Sequence, residues 1–191
     1  MPASSWTIDD AHRLRGARWL ASPNFDQRPP GNAIELLVVH AISLPPEQFG
    51  GPYIDALFTN TLDPNAHPYF AEIAGLKVSA HCCISRDGSV TQYVAFDQRA
   101  WHAGASQWRG RSRANDFSIG IELEGSDTQR FEIAQYHALA AVTQALLARY
   151  PTLQAGAIAG HSDIAPGRKT DPGPGFDWAL YRGLLSSGTS R

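Results

Sequence analysis

The sequence predicts a mixed α/β fold, a central β-sheet flanked by helices, on three observations: a short buried-strand run, a hairpin built on Asp-Gly, and a long segment with helical periodicity. The run Leu36-Leu37-Val38-Val39 is entered from Pro29-Pro30-Gly31-Asn32 and left through Pro45-Pro46, which marks a buried strand with His40 at its carboxyl end. A shorter helix starts near Pro52, because proline suits a first helical turn and Tyr53-Ile54-Asp55-Ala56-Leu57-Phe58 follows it. Residues 78–84 and 90–96 flank Arg86-Asp87-Gly88. Asp-Gly supplies the positive φ angles of a tight reversal, so this stretch reads as an antiparallel hairpin. Ser118-Ile119-Gly120-Ile121-Glu122-Leu123-Glu124 alternates with period two, placing Ile119, Ile121 and Leu123 on one face and Gly120, Glu122 and Glu124 on the other. Over residues 128–150, Tyr136, Leu139, Ala140, Thr143, Leu146, Leu147 and Tyr150 recur at helical spacing, with Asp127 or Thr128 as cap and Pro151 as stop.

A chain of 191 residues, 43% hydrophobic and 18% charged, fits one domain over residues 1–191 with a substantial core. Sixteen basic residues against 18 acidic ones leave a net charge of −2, so no basic field draws in nucleic acid or an anionic membrane. No segment offers the ~20 apolar residues of a membrane span, and residues 1–10 lack a basic start followed by an apolar run. The expectation is a soluble, unexported monomer. Cys82 and Cys83 are neighbours, and adjacent strand residues face opposite ways, so no ordinary bridge joins them. That agrees with a reducing compartment.

The segment from His161 to Gly175 packs potential ligands into a loop stiffened by Pro166, Pro172 and Pro174. An imidazole and a carboxylate on a rigid loop, His161 and Asp171, supply two positions of a tetrahedral zinc shell. His40 is the best third donor, since a strand is a rigid mount and a histidine interrupts a run that otherwise belongs in a core. Two histidines and one carboxylate leave a fourth position to water, the usual arrangement for hydrolytic zinc. A lone histidine is more often a hydrogen-bonded core or loop residue. That plainer role is assigned to His12, His67 and His137, while His81 and His102 are left open because they lie near the site segments. Glu122 suits a general base, with Glu124 as a decoy two residues on, and Lys169 would project beside Asp171 to stabilise an oxyanion.

The motifs then become specific: Leu37-Val38-Val39-His40, Asp63-Pro64-Asn65-Ala66-His67-Pro68-Tyr69-Phe70, Val78-Ser79-Ala80-His81 and Arg99-Ala100-Trp101-His102-Ala103-Gly104 occur in order. Asn115-Asp116-Phe117-Ser118-Ile119-Gly120-Ile121-Glu122-Leu123-Glu124-Gly125 and Arg168-Lys169-Thr170-Asp171-Pro172-Gly173 follow. From about residue 19 to 181 the series resembles the AmpD family, the cytoplasmic 1,6-anhydro-N-acetylmuramyl-L-alanine amidases of peptidoglycan recycling. The resemblance implies a fold shared with phage T7 lysozyme and peptidoglycan recognition proteins, with one Zn2+ per chain in a surface cleft. It places His40, His161 and Asp171 as zinc ligands, Glu122 as catalytic acid/base and Lys169 as transition-state support. The implied reaction is hydrolysis of the amide between the lactyl group of anhydro-N-acetylmuramic acid and L-alanine, with an anhydromuropeptide as partner. Removal of such muropeptides would also damp β-lactamase induction.

The same resemblance makes Arg113 a receiver of stem-peptide carboxylate, Lys77 a second basic contact where relatives usually carry arginine, and Trp101 and His102 further substrate contacts. Ala41 stands where relatives have asparagine, which removes an amide expected beside the metal. A muropeptide-recognition module without catalysis and an exported amidase acting on intact wall are the competing expectations.

Overall fold

The computed structural model describes residues 6–187; residues 1–5, read above for a targeting signal, lie outside the described residues. Ten strands are β1 (Arg18–Trp19), β2 (Phe25–Gln27), β3 (Leu36–Ile42), β4 (Cys82–Ile84), β5 (Val90–Gln92), β6 (Gln98–Ala100), β7 (Gln107–Trp108), β8 (Arg111–Ser112), β9 (Ser118–Glu124) and β10 (Ile158–Gly160). Five helices are α1 (Tyr53–Phe58), α2 (Pro68–Ile73), α3 (Ile133–Arg149), α4 (His161–Ile164) and α5 (Trp178–Ser187). The main sheet runs β1-β5-β4-β9-β3-β10. It is mixed, as the sequence predicts: β3 lies parallel to β9 and β10, β4 is parallel to β9, and only the β4–β5 hairpin is antiparallel.

The period-two pattern sorts the two central strands between two cores. Leu37, Val39, Ile119, Ile121 and Leu123 pack with Tyr136, Leu139, Val142 and Leu146 of α3 and with Tyr181 and Leu185 of α5. Each fully buried aliphatic side chain there contributes roughly 1.5–3 kcal/mol. On the opposite face, Leu36 and Val38 join Ala103, Phe117 and Ile164, while Phe58 and Phe70 of α1 and α2 build a further cluster with Cys83 and Tyr93.

Three expectations need correction. The long helix begins at Ile133 rather than near residue 128, with Glu132 as its N-cap and the Gln135 side chain accepting the Glu132 N–H at 3.0 Å. Phe131 instead buries its ring over Gly125, where any Cβ would lie 2.3 Å from it, and Asp127 O accepts the Gly175 N–H, so this stretch is held as a loop. The hairpin strands shorten to three residues each, and Ser79, expected in the first, instead bonds Trp101 O and Asn24 O. His40 is inside β3, two residues before its end, because the strand runs on to Ile42.

Cys82 and Cys83 are both free and buried, one on each side of the sheet. Burial pushes both thiols well above the usual cysteine range. Iodoacetamide at pH 8 is therefore expected to leave both unmodified in the native protein and to label both in urea. Rapid native labelling, read by intact mass, would contradict this packing.

Candidate active site

Parallel register assembles the centre of the site. His40 pairs with Glu122 across β3 and β9, and Glu122 with Cys83 across β9 and β4. Paired residues share a face, so these three stand in a row near the carboxyl ends of parallel strands, where open α/β sheets carry ligands. Gly160 pairs with Val39, which delivers His161, the next residue, to the other side of His40. Asp171 returns from the loop after α4, where its carbonyl accepts the Ser162 N–H at 2.9 Å. Gly160 leaves room for this return, since a Cβ there would meet Pro172 Cδ at 2.9 Å.

His40 Nδ1 lies 2.9 Å from His161 Nδ1 and 3.3 Å from Asp171 Oδ2, and His161 Nδ1 lies 3.1 Å from the same oxygen. Those separations match the ~3.3 Å edge of a tetrahedron with metal–ligand bonds of about 2.0–2.1 Å. His161 Nε2 is 3.3 Å from Ala103 O, which can only accept, so its proton sits on Nε2 and its Nδ1 lone pair faces the cluster. Burial pushes His40 down to about 4, keeping it neutral. Burial opposes ionisation of Asp171, but the His161 and His40 rings beside it hold its carboxyl well below the usual range. Two imidazoles and a carboxylate aimed at one point suit a divalent cation with N/O preference, and these three residues form the metal-type cluster among the described residues.

Glu122 is buried beside this cluster and its Oε2 has no hydrogen-bond partner. Burial, then repulsion from Asp171, raises its pKa well above the usual carboxylate value, opposed by Lys169. Glu124 is different: its oxygens accept the N–H groups of Gly50 and Arg86, a structural role on the same strand face. Glu122, Lys169, His161, Asp171, Trp101 and His102 all line one cleft of about 290 Å³, whose other wall is apolar and includes Leu57, Tyr69, Ile73 and Leu76.

Other expected contacts lie apart. Arg113 is exposed, follows the β7–β8 hairpin and pairs with Asp116 at 3.1 Å. Lys77 is exposed between the cleft residues Leu76 and Val78, and neither basic residue lines the cleft itself. Ala41 lines the cleft and also packs against the helix-side core. His81 is structural: Gly120 N–H donates to its Nδ1 and its Nε2–H reaches Gln98 O, both at 3.0 Å. His67 caps α2 by accepting the Tyr69 N–H.

Sequence reasoning missed Gly120 and Ser118. A glycine inside a strand signals a close approach, and here a Cβ on Gly120 would lie 2.4 Å from His102 Cγ. Gly120→Ala is expected to displace that ring and to destabilise the protein by about 1–3 kcal/mol, measured by urea unfolding. A variant as stable as wild type would show that His102 is free to move.

Amide hydrolysis needs a base that holds a proton between attack and departure of the amine, beside a group that polarises the carbonyl. A buried glutamate next to a His-His-Asp cluster that could hold a metal ion has the parts for both demands, a combination that suits a hydrolase. Comparison makes the class specific: the chain belongs to the N-acetylmuramoyl-L-alanine amidase family, which matches residues 30–174. The 1,6-anhydro-N-acetylmuramyl-L-alanine amidase AmpD of Escherichia coli (strain K12) is 64% identical over 177 residues, 93% of this chain and 96% of that protein. A crystal structure of a selenomethionine AmpD derivative superposes with a TM-score of 0.90 at 62% identity, covering 93% of this chain and 98% of that one. The amidase AmiD from E. coli, in complex with the substrate anhydro-N-acetylmuramic acid-L-Ala-D-gamma-Glu-L-Lys, gives a TM-score of 0.59 at 31% identity, over 83% of this chain and 60% of that one.

Proposed function

We propose that this amidase cleaves the bond between the lactyl group of 1,6-anhydro-N-acetylmuramic acid and L-alanine of the stem peptide, in peptidoglycan recycling. The observation that carries the reading is the convergence of His40, His161 and Asp171 beside the unpartnered carboxyl of Glu122. We assign His40, His161 and Asp171 to one zinc ion. When bound, zinc supplies Lewis acidity, lowering the pKa of water to about 7 and drawing charge from the scissile carbonyl.

The chain's own residues do the rest. Glu122 accepts a proton from the attacking water and returns it to the alanine nitrogen as the amine leaves. Lys169, on the cleft wall, brings positive charge toward the carbonyl oxygen as it becomes negative. Trp101 supplies an apolar surface to the muramyl side. We assign Arg113 and Lys77, both exposed outside the cleft, to the carboxylates of a peptide that extends beyond it. The buried, unbridged cysteines support a cytoplasmic setting, and we take the working form as a monomer. In a host with the inducible circuit, loss of anhydromuropeptide would lower β-lactamase induction.

The test is incubation of the zinc-loaded protein with 1,6-anhydro-N-acetylmuramyl tripeptide and mass analysis of the products. Intact tripeptide and free anhydro-sugar are expected. If the substrate stays whole with zinc bound, the substrate assignment fails.

A further inference from the structure

We propose that His102 is a positioning residue for the metal site: its Nδ1 accepts a hydrogen bond from His40 Nε2–H and its own Nε2–H donates to Ser118 Oγ, so that the His40 Nδ1 lone pair stays aimed at His161 and Asp171. The inference rests on the zinc assignment above and extends it to a residue one step removed from the ligands. His40 Nε2 is 2.9 Å from His102 Nδ1, and His102 Nε2 is 3.2 Å from Ser118 Oγ. A neutral imidazole whose Nδ1 binds a cation carries its only proton on Nε2. His102 Nδ1 must then be the bare acceptor, which leaves the His102 proton on Nε2, facing Ser118. One ligand bond therefore fixes the direction of both hydrogen bonds.

The surroundings hold this arrangement. The two ring nitrogens of His102 each face one fixed partner, His40 Nε2 on one side and Ser118 Oγ on the other. The ring lies over Gly120, in space that a Cβ would fill. The backbone of His102 and Ala103 is pinned from behind, both N–H groups donating to Asn115 Oδ1 at 3.2 and 2.8 Å. The same two residues serve both metal-facing histidines, because Ala103 O receives His161 Nε2–H at 3.3 Å. Both ring nitrogens are engaged by the protein, while the ring also lines the cleft. Partners of this kind orient a ligating histidine and raise its basicity.

The experiment measures zinc affinity by chelator competition for wild type, His102→Leu and His102→Gln, with urea midpoints of the metal-free proteins and 15N NMR of the ring tautomers. His102→Leu removes the acceptor and is expected to lose about 10- to 100-fold in affinity. His102→Gln offers an oxygen to His40 and an N–H to Ser118, and is expected to recover most of that loss. In zinc-loaded wild type, His40 and His102 should both carry their proton on Nε2. That measurement needs no variant and stands even if His102→Leu does not fold. A His102 proton on Nδ1 in the loaded protein, or equal affinity in His102→Leu, would overturn the positioning role while leaving the zinc assignment intact. Wild-type protein that binds no zinc would overturn both.

Discussion

Glu122→Gln is expected to lower the turnover rate by about 10²- to 10⁴-fold, the range for loss of a general base, while zinc binding is retained because Glu122 is not among the three converging ligands. Gln keeps the size and one oxygen acceptor but cannot take the proton from water. The same substitution should leave the metal-free protein as stable or more so, since it replaces a buried carboxyl whose Oε2 has no partner. The sign of its pH dependence follows from the raised pKa. Both folded and unfolded states are protonated below the unfolded value near 4.5, so the native carboxyl costs nothing there. As pH rises through the folded value, the unfolded chain ionises first and stability is lost. The stabilising effect of Glu122→Gln should thus be larger at pH 8 than at pH 5, read from urea midpoints of metal-free protein. Wild-type turnover in the variant would remove Glu122 from the mechanism.

Asp171→Ala is expected to abolish metal-dependent stabilisation as well as activity. Zinc at a hundredfold excess over its Kd stabilises a protein by about 2.7 kcal/mol, which raises Tm by roughly 5–10 °C in a domain of this size. Sharing the ~10–16 kcal/mol of a four-ligand zinc site evenly, one ligand is worth on the order of 3 kcal/mol, about a hundredfold in affinity. At the zinc concentration that saturates wild type, the variant should show little thermal shift and activity near background. Chelator treatment of wild type should reproduce the activity loss, and zinc should restore it. A normal thermal shift in Asp171→Ala would mean that this carboxylate is not a ligand.

The two predictions separate roles that meet at one site. Glu122 and His40 are register partners on adjacent strands, yet one offers a lone pair to the common point and the other stands beside it with an unpaired oxygen. Removing the first should alter chemistry with the ion in place; removing a ligand should alter binding of the ion itself.

Much of the fold was legible locally. The alternation in β9 and the apolar run of β3 reflect a two-residue period that each strand carries in its own sequence, and α3 stops where Pro151 requires it. The end helix α5 was not read from the sequence, although its signals are local: Asp177 Oδ1 accepts the Leu180 N–H as an N-cap, and Trp178, Tyr181 and Leu185 follow at helical spacing. Strand β10 was not legible, because three residues rich in small side chains carry no period of their own. Its place at the sheet edge comes from pairing with β3.

The sequence by itself determined the residue types able to do the chemistry, His40, Glu122, His161, Lys169 and Asp171, and the alternation that puts Glu122 opposite the helix-packing residues of its strand. Tertiary structure alone decided that Nδ1 of both histidines and one oxygen of Asp171 meet within hydrogen-bond distance, and that His102 stands behind His40. It also left Arg113 and Lys77 outside the cleft. The physical reason is range. Side-chain period is set by neighbouring residues, whereas strand order, register and the choice between two imidazole nitrogens depend on groups brought together from distant parts of the chain.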